Sequence, residues 1–102
     1  MTTISIIPTD KTFIINGKIE LFPQQGGWHY VKAPEDITNQ LNQFADRGLI
    51  AITATLGKTQ WQTSLLPFGD DTHFIALSKK VRQSERVSLG DKIKITFSLR
   101  ER

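Results

Sequence analysis

The sequence predicts a mainly β protein: a closed or nearly closed β-barrel made of two pseudo-twofold repeats, each with one short helix. Short runs of alternating apolar and polar residues, separated by Gly, Pro, Asn and Asp, indicate about seven or eight strands in 102 residues. The same order of apolar positions occurs twice along the chain, and two segments carry helix start signals. So many strands in so short a chain favour a barrel, because closing a sheet removes its exposed edges.

Length and composition predict one domain over residues 1–102, with the repeats at roughly 13–56 and 57–99. Apolar residues make up 38% of the chain and charged residues 23%, which is typical of a globular protein. The chain contains no cysteine, which excludes disulfides, thiolate nucleophiles and cysteine-based metal sites. The N terminus has no basic run followed by an apolar stretch, and no segment reaches the ~18 apolar residues of a membrane span. A cytoplasmic protein with no membrane partner is therefore expected.

The repeat is clearest around the two histidines of the chain. The segment LFPQQGGWHYVKAPEDI (21–37) aligns with LLPFGDDTHFIALSKKV (65–81), and IAITATL (50–56) aligns with IKITFSL (93–99). The alignment pairs Leu21 with Leu65, Pro23 with Pro67, His29 with His73, Tyr30 with Phe74, Val31 with Ile75 and Ile37 with Val81. Few positions are identical, so the order, spacing and type of the apolar residues are what indicate a duplication.

In the first repeat, the turn-forming residues NGK (16–18) and PQQGG (23–27) predict a hairpin that leads into the strand WHYVK (28–32). Pro34 suits the first helical position, where its missing N–H costs nothing, and the two acidic residues after it favour the positive end of the helix dipole. An apolar stripe predicts that this helix runs on to Gly48, which would end it in a left-handed conformation. The strand LIAITATL (49–56) follows, and TTISII (2–7) and TFII (12–15) are further strand candidates.

The second repeat predicts the strand QWQTSLLP (60–67), the turn FGDD (68–71) and the strand THFIAL (72–77). Ser78 can accept a backbone N–H as a helix N-cap, and KKVRQSERV (79–87) predicts a shorter helix than its counterpart. The last strand, KIKITFSL (92–99), alternates apolar with charged or polar residues, so it should have one buried and one solvated face.

Two resemblances follow from these motifs. The segment THFIALSKKVRQSERVSLGDKIKI (72–95) resembles the AbrB/MazE-type swapped-hairpin module, with Lys79, Arg82, Gly90 and Asp91 at the matching places. Over nearly the whole length, the order GWHYV, RGLIAITATL, WQTSLLPFGDDTHFIALSKKVR and GDKIKI is more similar to a family of small bacterial proteins classed as a domain of unknown function. Some members of that family are fused to a YdeI/OmpD-associated segment linked by name to bacteriocin protection. The resemblance implies a double-split β-barrel and no established activity.

The preferred functional interpretation is a non-catalytic module that binds a small ligand or a protein partner, as a monomer or a weak homodimer. A ligand site is expected where Trp28, Arg82 and the two repeat turns converge, with His29 and His73 as further candidate contacts. Trp28 is the unmatched aromatic of the repeat, since it aligns with Thr72. No catalytic residue, metal site or cofactor is predicted.

A second interpretation is AbrB-like nucleic-acid binding through the basic C-terminal half. Residues 58–102 contain nine Lys and Arg against five Asp and Glu, whereas residues 1–57 contain four against five. Phosphate contacts would come from Lys79, Lys80, Arg82 and Arg86.

A third interpretation, ranked lowest, is an enzyme or metal site built on His29 and His73. A pseudo-twofold axis could bring the two imidazoles together to hold a metal or move a proton. Two ligands are too few for a closed zinc site, and the chain has neither a His-Glu-x-x-His nor a Gly-x-Ser-x-Gly motif.

Overall fold

The computed structural model describes residues 7–23 and 27–101. These residues form seven strands and two α-helices in the order β1 (Thr12–Lys18), β2 (Glu20–Leu21), β3 (His29–Lys32), α1 (Glu35–Leu41), β4 (Ile50–Leu56), β5 (Thr59–Pro67), β6 (His73–Ala76), α2 (Lys79–Glu85) and β7 (Lys92–Leu99). A 3₁₀ turn over Asn42–Phe44 follows α1. The predicted strand at 2–7 lies almost wholly outside the described residues. Neither of the helices in the described part of the chain is long and apolar enough to cross a membrane.

All seven strands belong to one antiparallel sheet with the order β1-β7-β4-β5-β6-β3-β2. Its two edge strands, β1 and β2, are consecutive in the chain and separated only by Ile19. Strand β5 lies in the middle of the strand order and pairs with a strand on each side. Its residues up to Leu65 pair with β4, and Leu66 and Pro67 pair with β6. The sheet therefore curls into a nearly closed barrel, which confirms the mainly β, barrel-like prediction.

The core fills the inside of this barrel. Strand β7 shows the pattern best, because Ile95, Phe97 and Leu99 are buried while Lys92 and Lys94 are exposed, as predicted. The neighbouring strands and the two helices add further buried side chains, among them Ile15, Val31, Ile37, Leu41, Ile52, Leu65, Ile75 and Val81. Burying each such aliphatic side chain stabilises the fold by about 1.5–3 kcal/mol, which is how a chain without disulfides holds its shape.

The predicted turn at Asn16–Lys18 is wrong, because β1 continues straight through these residues. Gly17 is required there for space: a Cβ at this position would lie 2.6 Å from Cγ1 of Val31. The glycine thus permits β1 to cross close to β3 where the barrel closes. The hairpin around PQQGG is confirmed, since Glu20 pairs with Tyr30 and Leu21 pairs with His29.

The two hairpins differ in length, which corrects the alignment of the repeats. Leu21 is the register partner of His29, whereas Pro67 is the partner of His73. Leu21 therefore occupies the hairpin position of Pro67. The sequence alignment instead pairs Leu21 with Leu65. The first hairpin has the longer connection, and a gapless alignment could not represent that difference.

The first helix begins and ends differently from the prediction. Pro34 is its N-cap, with an extended backbone (ψ 153°), and not its first helical residue. The helix ends at Leu41, the 3₁₀ turn ends at Phe44, and Ala45 is extended. Gly48 has the expected positive φ (83°), but it lies in the turn between Asp46 and Leu49 that leads into β4. A tight turn there returns the chain to the sheet sooner than a continued helix would.

The second helix begins as predicted. The Ser78 hydroxyl accepts the Val81 N–H at 3.3 Å, and this satisfies one of the free N–H groups of the first turn. The helix ends at Glu85, and Arg86 caps it in a left-handed conformation (φ 55°). Both α-helices have seven residues, so the prediction of a shorter second helix is wrong.

Candidate functional site

Strands β3 and β6 carry one histidine at each end of their pairing. They run antiparallel with Val31 opposite Ile75. At one end the Leu77 N–H donates to the His29 carbonyl, and at the other the Ala33 N–H donates to the His73 carbonyl, both at 2.9 Å. Each strand leads into a helix, so α2 lies beside His29 and α1 lies beside His73. We call these two places the α2 cleft and the α1 cleft.

The α2 cleft is an open pocket with a cavity volume of about 460 Å³, within the range of small-molecule sites. Its apolar wall comes from Trp28, Trp61, Leu66, Ala76 and Leu77, and its polar lining comes from His29, Thr63, Ser78, Lys79 and Arg82. No carboxylate is among these described lining residues. The pocket therefore joins a mainly apolar wall to two positive charges, one on Arg82 and one on the exposed Lys79.

Strand register explains how two of these residues reach the pocket. Trp61 and Thr63 on β5 are the partners of Ala54 and Ile52, both of which are buried in the core. Residues paired in register share a face, so Trp61 and Thr63 lie on the inner face of the sheet. The pocket thus lies at the rim of the barrel mouth beneath α2, where Trp61 and Thr63 of the inner face meet Leu66 and Ala76 of the outer face. Trp61 also packs against the core.

Arg82 contacts two neighbouring residues at the end of the β3–β6 pair, Leu77 and His29. Its Nε donates to the Leu77 carbonyl at 3.2 Å, and its Nη1 lies 3.5 Å from Nε2 of His29. Burial lowers the pKa of His29 below its usual value of 6.5, and the positive charge of Arg82 lowers that pKa further. His29 is therefore neutral near neutral pH, and Arg82 and Lys79 supply the charge of the site.

Trp28 stands between the α2 cleft and a second group of aromatic rings. It is 56% exposed, and its ring centroid lies 6.5 Å from that of Phe74. Phe22, Tyr30, Phe68 and Phe74 form the rest of this aromatic cluster on the outer face of β3 and β6, with Phe22 stacked on Tyr30 at 4.2 Å. Strand alternation indicates the outward direction of Tyr30 and Phe74, because Val31 and Ile75 point inward. Phe22 and Phe68 lie in turns, and the strand patterns of the sequence do not predict that their rings join this cluster.

The α1 cleft uses its histidine differently. His73 is 4% exposed and Thr38 is 5% exposed. Nε2 of His73 lies 3.0 Å from the Gly48 carbonyl, and Nδ1 lies 3.1 Å from the Thr38 hydroxyl. Since a carbonyl oxygen can only accept, Nε2 carries a proton and donates it to Gly48, while Nδ1 bonds the Thr38 hydroxyl. Both ring nitrogens are therefore engaged within the protein, and His73 lies apart from Trp28, His29 and Arg82.

The hypothesis of a joint histidine site is wrong. His29 and His73 begin two antiparallel strands, so they lie at opposite ends of the pairing and contact different partners. Among the described residues, no group of three or more His, Asp or Glu side chains is placed to hold a metal ion.

The charges of the two clefts have opposite signs. Glu35 and Asp36 occupy the first turn of α1, whereas Lys79 and Lys80 occupy the first turn of α2. Near the α1 cleft, Asp70 forms an ion pair with Lys32 at 2.7 Å, and bonds from Lys32 and Thr72 lower the pKa of Asp70 to about 2. Of the four predicted nucleic-acid contacts, Lys79, Lys80 and Arg86 are exposed, while Arg82 is half-buried in the α2 cleft.

These features define a small antiparallel β protein whose barrel-like sheet has a cleft, lined by tryptophans and cations, at the mouth beneath its second helix. The family model described as "Domain of unknown function (DUF1905)" matches residues 16–97, and the chain belongs to this family. The match runs from the second half of β1 into β7 and so spans nearly the whole sheet. No curated protein matches the chain.

Proposed function

We propose that the protein is a binding module whose α2 cleft takes a small organic anion with a flat apolar body. The observation that carries this proposal is the lining of the cleft: two tryptophans beside Arg82 and Lys79, with no carboxylate among the described lining residues. Indole rings favour a flat apolar group by burial and stacking, and a guanidinium and an ammonium favour a carboxylate or phosphate. A cleft of this size and polarity is typical of small-molecule sites.

The fixed position of Arg82 supports an anion and not a neutral ligand. Its Nε is engaged by the Leu77 carbonyl, which holds the guanidinium plane, while other N–H groups of the same side chain stay available to a ligand. A charged donor that is already oriented loses little conformational entropy on binding. The neutral state of His29 also avoids a second positive charge beside Arg82 in the free protein.

Arg82→Gln tests this proposal. A panel of aromatic and aliphatic carboxylates and phosphate esters is first screened for compounds that raise the melting temperature in a concentration-dependent way. Because a hydrogen bond to a charged group contributes about 1.5–3 kcal/mol, Arg82→Gln should weaken the best compound by about ten- to a hundred-fold. Calorimetric titration and quenching of tryptophan fluorescence both measure this change.

The matched control is Lys80→Gln, which removes the same charge from the same helix at an exposed residue that does not line the cleft. It should retain nearly the full affinity. Equal losses in the two variants, or a panel in which no anion raises the melting temperature, would contradict the proposal. Arg82→Lys keeps the charge and checks that any loss does not come from unfolding.

We also infer that the barrel is of the double-split type and arose from two related halves. Two pairs of directly opposed strand residues support this inference, because in each pair the two residues are equivalent positions of the two repeats. Val31 and Ile75 are 44 residues apart and pair directly, and Ala54 and Phe97 are 43 residues apart and pair directly. The bonds from Leu77 to His29 and from Ala33 to His73 are related by the same 44-residue spacing. Experimental coordinates in which residues 29–56 and 73–99 do not superpose by a near-twofold rotation would contradict this origin.

Nucleic-acid binding of the AbrB type is the second candidate function. The exposure of Lys79 and Lys80 on α2, and of Arg86 at its C-cap, favours it. A fluorescence titration with duplex DNA should then give binding that weakens steeply with salt and is lost in the Lys79→Gln/Lys80→Gln variant. No binding at low salt would rule it out.

A further inference from the structure

Three lysines lie together on the outer face of the β1–β7 pair. Lys18 is the register partner of Lys92, and Asn16 is the partner of Lys94. Register partners share a face of the sheet, as do residues two apart on one strand, so these four side chains project from the same side. All three lysines are exposed. This Lys18/Lys92/Lys94 cluster borders a cavity of about 480 Å³, which Gly17 and Ile93 also line.

The cluster is not neutralised within the described protein. Like charges directly opposite each other in an antiparallel pair destabilise the sheet, and Lys18 and Lys92 are such a pair. No ion pair is found for any of the three lysines among residues 7–23 and 27–101. The nearest carboxylates in sequence are Glu20 and Asp91, and neither forms an ion pair with these lysines in the described part of the chain. Asp91 accepts the Ser88 N–H at 2.8 Å. An anion bound at the cluster would remove this repulsion.

The backbone beneath the cluster is firmly held. The Ile19 N–H donates to the Asp91 carbonyl, and the Gly90 N–H donates to the Ile19 carbonyl, both at 2.9 Å. These bonds join the residue after Lys18 to the turn before Lys92. On the other side, the close approach of Gly17 to Val31 fixes β1 against β3. The three lysines therefore start from fixed positions, and only their flexible side chains must be ordered when an anion binds.

We propose that the Lys18/Lys92/Lys94 cluster binds multivalent phosphate, in the form of a di- or triphosphate chain. Ammonium groups are compact point charges that suit phosphate oxygens, and three of them match a compact anion of high charge. The same outer face continues from Asn16 and Lys94 with the uncharged residues Ile14 and Thr96. A nucleic-acid backbone needs cations along its length, so the short extent of the cluster favours a small polyphosphate over a polymer. This site is separate from the α2 cleft and does not depend on the function proposed for it.

The test is a titration of the whole chain with sodium triphosphate, followed by two-dimensional NMR of the backbone amides. The shifts should concentrate at residues 16–18 and 92–94, and the affinity should fall as salt screens the charges. Lys18→Gln and Lys92→Gln should each weaken binding by about two- to five-fold, the range for an exposed ion pair. The double variant should lose more, and inorganic phosphate should bind more weakly than triphosphate because it carries less charge.

Lys11→Gln is the matched control, since it removes an exposed lysine that precedes β1 and does not border the cavity. It should bind triphosphate like the unaltered protein. Because Lys18→Gln removes a repulsive charge, it should not lower the melting temperature, and loss of binding would then not reflect unfolding. Equal weakening in Lys11→Gln, shifts centred on the α2 cleft, or tighter binding of a single-stranded oligonucleotide than of triphosphate would each overturn the proposal.

Discussion

The α1 and α2 clefts share one backbone frame and differ in what the side chains do with it. In each, a histidine begins one strand of the β3–β6 pair, and a residue of the seven-residue helix that follows the other strand contacts its imidazole. In the α1 cleft that residue is Thr38, which is short enough for His73 to be buried beneath it. In the α2 cleft it is Arg82, a long cation that leaves an open pocket beside His29. A threonine in one cleft and an arginine at the matching helix position in the other thus accompany the difference between a structural histidine and a candidate ligand site.

Other residues around the two histidines also differ between the clefts. Thr72 precedes His73, whereas Trp28 precedes His29 and adds an exposed indole. Acidic residues begin α1, and lysines begin α2. The two ends of the barrel therefore differ in charge and in the side chains beside the histidine, although the core between them is shared.

The largest expected effect is on stability, and it should fall on only one of the two histidines. His73→Ala removes a buried ring, leaves a cavity and leaves the Gly48 carbonyl and the Thr38 hydroxyl without their partner. We expect the free energy of unfolding to fall by about 2–4 kcal/mol. His29→Ala, the matched change in the half-exposed position, should cost about 1 kcal/mol or less. Urea denaturation of both variants measures the difference, and similar losses would contradict the division of roles.

Much of the fold could be predicted from the sequence because alternation and turn residues report local physics. The alternating residues of β7 and the Ser78 N-cap are examples, and both are confirmed. The prediction failed where a residue serves a distant partner. Asn16-Gly17 has the sequence of a turn, but Gly17 is needed for the approach of β1 to β3. The sequence places Gly48 at the end of a helix, whereas it lies in a turn, and its own carbonyl bonds His73.

The candidate site was only partly predictable for the same reason. The sequence predicts Trp28, His29 and Arg82 as site residues, because the aligned repeats show an unmatched tryptophan and an arginine on a helix. Trp61 was not assigned to the site, because only the β4–β5 register places it on the inner face at the mouth of the barrel. The separation of His29 and His73 depends on the direction of the β3–β6 pairing, which spacing along the chain does not determine.

An intermediate effect is expected when the α2 cleft is given the residue found in the α1 cleft. Trp28→Thr removes an indole from the cleft wall, and we expect the affinity for an anionic aromatic ligand to fall by about ten-fold, since such a ring contributes about 1–2 kcal/mol. Because Trp28 is largely exposed, the free energy of unfolding should change by about 1 kcal/mol or less. Leu21→Ala, which trims an exposed apolar side chain outside the cleft, is the control. A stability loss in Trp28→Thr as large as that in His73→Ala would show that Trp28 belongs to the core.

The smallest expected effect is on the titration of His29. Burial and Arg82 both lower its pKa, so the folded protein binds this proton less readily than the unfolded chain does. The sign follows: this contribution to stability is present above the unfolded pKa of about 6.5 and is lost as the pH falls below it. Arg82→Gln should move the pKa of His29 upward but leave it below 6.5, because burial is the larger cause.

A bound anion should act on His29 in the opposite direction to Arg82. Its negative charge stabilises the imidazolium and raises the pKa of His29. The affinity for the anion should therefore increase as the pH falls through the range in which His29 gains its proton. Proton NMR of the His29 imidazole measures its pKa with and without the anion, and calorimetry at two pH values measures the affinity for the anion. The same anion should leave the His73 resonances unchanged, since Thr38 and Gly48 enclose that ring. If the His73 signals moved with those of His29, the anion would not be confined to the α2 cleft.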